Sequence, residues 1–146
     1  MPIGVGQFGG NGGDAFDYSN SNAVTEVTVR SGAAIDSIMF KYYHDGTISL
    51  SPNLGGQGGH PNQVSFVLDY PNEFLTRIEG HYSPFSNVLQ LIRSLTFYTN
   101  MGNKYGPYGV EEGTYFDIPT KGAEIVGFFG RSGGLLDAIG VYLRAR

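Results

Sequence analysis

Apolar and polar residues alternate along this chain in short runs, and glycine-rich breaks separate the runs. Over residues 23–29 the alternation puts Val24, Glu26 and Thr28 on one face and Thr25, Val27 and Val29 on the other, the period of a half-buried strand. Residues 35–43 predict a second strand with an aromatic end. Thr47–Leu50 follows His44-Asp45-Gly46, whose Asp-Gly pair suits a tight hairpin. Further strands are predicted over 63–68, 74–80, 88–98, 113–118, 124–131 and 136–144. No long window carries the three-to-four residue period of an amphipathic helix. The pattern therefore predicts an all-β chain of about ten short strands, whose edges require closure or stacking of several sheets.

Two features of the pattern repeat. Ile35-Asp36-Ser37-Ile38-Met39-Phe40, Ile92-Arg93-Ser94-Leu95-Thr96-Phe97 and Leu136-Asp137-Ala138-Ile139-Gly140-Val141 share one form: apolar, charged, small, apolar, variable, apolar. The second feature is glycine-rich. Gly9-Gly10-Asn11-Gly12-Gly13 and Gly55-Gly56-Gln57-Gly58-Gly59 share one pattern, and a degenerate third copy spans Met101-Gly102-Asn103 and Tyr105-Gly106-Pro107-Tyr108-Gly109. Three units of roughly 45 to 50 residues predict three small sheets about a pseudo-threefold axis.

Composition narrows the function. The 146 residues suit one domain, taken here as 1–146. There is no cysteine, so disulfides and thiolate metal sites are excluded. No run reaches the length of a membrane span, and residues 1–10 lack the charge and apolar pattern of a signal peptide. The expectation is a cytoplasmic or nucleocytoplasmic chain. The net charge is −4, and nine Lys and Arg residues lie scattered, so no nucleic-acid surface is expected. His44, His60 and His81 are dispersed, and no nucleophile–base pair or metal-ligand set is legible. No enzyme activity, cofactor or metal is expected.

The repeats suggest a binding site. Gly32-Ala33-Ala34-Ile35-Asp36 and Gly133-Gly134-Leu135-Leu136-Asp137 both read Gly-x-x-x-Asp, whereas the middle copy, Leu89 to Arg93, has lost the glycine and the acid. The third glycine loop is also degenerate. If loop and acid form one unit, two sites work and one is lost. Glycine lets backbone N–H groups approach a ligand closely. A carboxylate beside them accepts hydrogen bonds from adjacent hydroxyls, and such charge-assisted bonds are strong. The combination matches the edge of a sugar. One site competing with water should be weak, with a dissociation constant on the order of 0.1 to 10 mM for a monosaccharide.

These motifs, together with the runs Ile92 to Asn100, Tyr105 to Gly109 and Ile125 to Gly140, resemble the jacalin-related lectins, most closely their single-chain mannose-binding plant members. The resemblance implies a β-prism I fold: three four-stranded antiparallel Greek-key sheets with pseudo-threefold symmetry, the first strand closing into the C-terminal sheet. It implies non-catalytic binding of mannose or glucose in oligomannose-type glycans and glycoproteins. It places one site at Gly13, Gly134, Leu135 and Asp137, and a second at Gly59, Ala33, Ala34 and Asp36. It also implies a homodimer or homotetramer. The alternatives are a galactose-preferring lectin, or a structural or protein-interaction module with relic sites. Arg93 is expected to be structural, Arg131 to brace the last loop or to serve no site, and His60 to line a longer-glycan subsite or to be an exposed loop residue.

Overall fold

The computed structural model describes residues 2–85 and 88–146. Thirteen strands follow one another: β1 (Ile3–Gly9), β2 (Asp14–Asp17), β3 (Ala23–Ser31), β4 (Ile35–His44), β5 (Thr47–Leu50), β6 (Leu54–Gly55), β7 (Val64–Val67), β8 (Leu75–Phe85), β9 (Val88–Thr99), β10 (Lys104–Gly109), β11 (Thr114–Pro119), β12 (Ala123–Ser132) and β13 (Leu136–Ala145). One 3-10 turn, His60–Asn62, precedes β7. All pairings are antiparallel.

Hydrogen bonding gives one five-stranded sheet and one of eight. The larger narrows to a single registered pair between β12 and β8, Ile125 with Leu75. It therefore divides into two four-stranded groups, β2-β12-β13-β1 and β11-β8-β9-β10, and the smaller sheet supplies the third, β7-β3-β4 with β5 and β6 sharing one edge. This is the three-sheet prism that the resemblance implies. The first strand does close onto the last, β1 on β13.

The repeat explains the core. Its apolar positions, Ile35, Ile38 and Phe40, then Ile92, Leu95 and Phe97, then Leu136, Ile139 and Val141, are at most 1% exposed. Each contributes about 1.5–3 kcal/mol of burial. Its small position has a separate reason. Ser37, Ser94 and Ala138 each pair with a loop glycine, Gly55, Gly109 and Gly9 respectively. A Cβ on Gly55 would lie 2.8 Å from that of Ser37, so a larger side chain would push the loop away.

Two expectations change. Plain alternation separates Val24 from Val27 and Val29, yet all three are buried. Val24 pairs with Tyr42 and Glu26 with Lys41, so Thr25 is the extra residue of a β-bulge and the phase flips there. The third glycine loop is also displaced. Met101-Gly102-Asn103 forms the turn between β9 and β10, closed by Thr99 N–H on Asn103 O. The counterpart of Gly9 to Gly13 and Gly55 to Gly59 is Gly109 to Gly113. Gly9, Gly55 and Gly109 all have positive φ, and a Cβ on each would lie 2.1–2.3 Å from the carbonyl oxygen of Asp137, Asp36 or Arg93.

Candidate functional site

Each of the three units brings one loop onto the charged position of the repeat. Gly10 N–H donates to Asp137 O, Gly56 N–H to Asp36 O, and Val110 N–H to Arg93 O, all at 2.9 Å. These equivalent bonds hold the loop ends. What the loops then enclose differs.

In the last unit, the loop of Gly12 and Gly13 lies against the Asp137 carboxylate. A Cβ on Gly12 would be 2.5 Å from Asp137 Oδ2, and one on Gly13 would be 2.9 Å from Oδ1 and 2.3 Å from Ser132 O. Gly13 has φ +67°, which side chains rarely adopt. The turn across Gly133, Gly134 and Leu135 is closed by Gly133 N–H on Leu135 O, and Gly134 faces open space. The loop carrying Gly13 and the turn carrying Gly134 and Leu135 thus both border the Asp137 carboxylate. Asp137 is only 6% exposed. Burial pushes its carboxyl above the usual Asp range, and Arg131 partly offsets this.

The first unit repeats the arrangement. A Cβ on Gly58 would be 2.5 Å from Asp36 Oδ1, and one on Gly59 would be 2.5 Å from Asp36 Oδ2. Gly59 has φ +68°, matching Gly13. Gly32 N–H closes the turn on Ala34 O. Ala34 is 3% exposed, so its methyl belongs to the core and only its backbone edge is left for a ligand. Burial raises the Asp36 carboxyl as well. Gly59, Ala33, Ala34 and Asp36 therefore form a second, matching frame. Among the described residues neither Asp36 nor Asp137 accepts a side-chain hydrogen bond from the protein. Partly buried acceptors without partners are uncommon, and here both face a glycine loop.

The middle unit is closed by its own side chains. Arg93 stands where the acids stand, and Glu112 stands where Gly12 and Gly58 stand. The two pair at 3.6 Å. The loss lies in the unit the sequence predicts, and the charge swap lies in Gly109 to Gly113, farther along the chain than the predicted loop of Met101 to Gly109.

Both arginines next to the frames grip carbonyls. Arg131 Nε donates to Gly12 O at 3.0 Å, and Nη2 donates to Gly13 O at 2.7 Å. In a planar trans peptide, a C=O and the following N–H point in opposite directions. Holding Gly12 O therefore aims the Gly13 N–H away from Arg131. Arg93 Nε donates to Ala33 O at 3.1 Å, which aims the Ala34 N–H in the same way. Arg93 is 9% exposed, and Ser83 Oγ and the Phe85 ring complete its surroundings. Its role is structural, as expected, and its effect reaches the second frame. A readable signal for the first brace was present: Arg30-Ser31-Gly32 and Arg131-Ser132-Gly133 precede the two frames. The two arginines nevertheless act differently, since Arg30 bonds Gln63 and Gln57.

The remaining residues are structural. Asp45 and Gly46 both have positive φ, as the primed hairpin turn requires. Asp117 pairs with Arg77 at 2.8 Å. Tyr105 stacks on Phe66. The side chain of His60 lies outside the described residues.

The site is a pair of small carboxylate-and-glycine frames on a three-sheet prism, with no grouping of His, Cys, Asp and Glu among the described residues that could hold a metal. The family model for the jacalin-like lectin domain matches residues 5–142, and the chain belongs to that family. Lectins of this family bind carbohydrate without catalysing a reaction, and the chain is not an enzyme. It is 43% identical over 145 residues to Jacalin-related lectin 19 of Arabidopsis thaliana, covering 98% of this chain and 81% of that protein. It is 41% identical over 143 residues to Jacalin-related lectin 3 of the same plant, covering 97% of this chain but 23% of that longer protein. A mannose-binding jacalin-related lectin from Ananas comosus has the same fold, with a TM-score of 0.93 at 38% identity over 99% of each chain.

Proposed function

We propose that this chain binds mannose- and glucose-containing glycans, oligomannose chains among them, at two sites. One consists of Gly13, Gly134, Leu135 and Asp137, the other of Gly59, Ala33, Ala34 and Asp36. The carrying observation is the pair of carboxylates, each pressed on a glycine loop and without a protein hydrogen-bond donor, in two of three equivalent units. Each carboxylate accepts from two neighbouring sugar hydroxyls, and the outward-aimed N–H groups donate to ring and hydroxyl oxygens. Mannose and glucose differ only at carbon 2 and present the same hydroxyls at carbons 3, 4 and 6. Galactose inverts carbon 4 and misaligns one of the two bonds to the carboxylate. The similar lectin from Ananas comosus is mannose-binding, which supports this order of preference. Assembly into a dimer or tetramer multiplies the sites and raises avidity for branched glycans.

The test is competition. Retention on immobilised oligomannose should be released by methyl α-mannoside and methyl α-glucoside, and far less by methyl α-galactoside. Release by galactoside at equal concentration would reverse the assigned preference. No retention at all would leave a β-prism module with relic sites.

A further inference from the structure

Gly13 runs directly into β2, and Gly113 runs directly into β11. Gly59 does not run directly into β7. Four residues, His60, Pro61, Asn62 and Gln63, intervene, and no other unit has a counterpart. Pro61, Asn62 and Gln63 of this insertion line a groove of about 430 Å³ together with Pro107, Tyr108 and Gly109 from the middle unit. Its volume lies within the range that small-ligand sites use.

The groove continues the second site. Gly32 lines the groove and closes the turn of the second site on Ala34 O, and a Cβ on Gly32 would lie 3.8 Å from Asp36 Oδ2. The polar groups of the insertion are oriented. Arg30 Nε donates to Gln63 Oε1 at 2.8 Å, which leaves the Gln63 NH2 group as a donor. Asn62 Nδ2 donates to Ser31 O at 3.2 Å, which leaves its Oδ1 as an acceptor. Tyr108 adds a half-buried ring with a hydroxyl, and Pro61 and Pro107 add flat apolar surface. No residue lining the groove carries a charge. The lining suits a neutral polyhydroxylated ring, with amides for its hydroxyls and an aromatic and prolines for its C–H face.

We infer that the second site is extended: the groove between Asn62–Gln63 and Tyr108 holds the sugar residue linked to the one at Asp36, so this site takes an oligosaccharide. The inference rests on the proposed sugar role of Asp36.

The experiment uses the full chain with Asp137→Ala, which leaves the second site alone, titrated by calorimetry with methyl α-mannoside and with the three mannobioses linked α1-2, α1-3 and α1-6. At least one disaccharide should bind about tenfold more tightly than the monosaccharide, the worth of one or two net hydrogen bonds. Adding Gln63→Ala with Tyr108→Phe should reduce that gain to about twofold, with methyl α-mannoside affinity unchanged; both changes spare the core, since Gln63 is exposed and the Tyr108 ring is kept. Equal affinity for all four ligands, or a gain that survives both substitutions, overturns the groove and leaves the Asp36 site standing. No methyl α-mannoside binding by Asp137→Ala overturns the Asp36 site and the groove together.

Discussion

Gly12 and Gly58 give the sharpest test of what the glycine loops do. Both have ordinary φ, so alanine is conformationally allowed at each, unlike at Gly13 and Gly59. The only side-chain atoms near the added methyl are those of one carboxylate, at 2.5 Å from Asp137 Oδ2 for Gly12→Ala and 2.5 Å from Asp36 Oδ1 for Gly58→Ala. Ordinary contact is near 3.5 Å, so the carboxylate must retreat by about 1 Å. A displacement of that size breaks a charge-assisted hydrogen bond, worth about 1.5–3 kcal/mol. Each substitution should therefore weaken its own site by roughly 10- to 100-fold and leave the other unchanged. Two-dimensional amide NMR during a methyl α-mannoside titration separates the two isotherms through Gly13 and Leu135 for one site and Gly59 and Ala33 for the other. Thermal unfolding should stay close to that of the unsubstituted chain, because the methyl meets no core atom. Unchanged affinity at both sites in Gly12→Ala and Gly58→Ala would show that the carboxylates do not hold the sugar.

Four further outcomes follow from the same geometry. Burial raises both acids, so each is protonated at a higher pH than an exposed Asp, and mannoside affinity should begin to fall on acidification above the usual value of about 4; affinity flat down to that pH would contradict the role. A folded pKa above the unfolded one contributes stability that is present below the unfolded pKa and lost as pH rises through the folded value, so at pH 7 the ionised acids burden the fold and Asp36→Asn and Asp137→Asn should melt no lower than the unsubstituted chain while losing sugar; a large drop in Tm would mean that the acids are structural. Arg93→Met should weaken the second site by about tenfold through the freed Ala33 carbonyl and spare the first, as read by the same NMR titration; equal weakening of both would indicate general loosening. Gly134→Ala, with open space around its Cβ and Ala33 as its counterpart, should leave the fold intact and give the first site the affinity of a frame bearing a methyl there; collapse of the fold would refute the open-space reading.

Much of the fold was legible because its strands obey a period of two. Thr47–Leu50 was bounded correctly, and the strands beginning at Ile35, Val88 and Leu136 started where expected. The strands β1, β2, β6 and β10 were not read from the periodicity, for a physical reason. They are glycine-rich or short, and their pairing is set by close backbone approach to the neighbouring strand, which leaves no side-chain pattern in the sequence. The two acid frames were legible through Gly-x-x-x-Asp. Their braces were less so. Arg131 and Arg30 occupy the same sequence position yet bond different partners, because the insertion at 60–63 gives Arg30 the Gln63 carboxamide. The Arg93–Glu112 pair was hidden because the third loop lies farther along the chain than the even spacing suggested.

The most direct test of the two-site account is calorimetric titration of the chain with methyl α-mannoside, repeated on Asp137→Ala and Asp36→Ala. The account predicts two binding equivalents per chain, with one lost in each variant. A single equivalent that disappears with Asp137→Ala and is untouched by Asp36→Ala would contradict it and reduce the second frame to a structural turn.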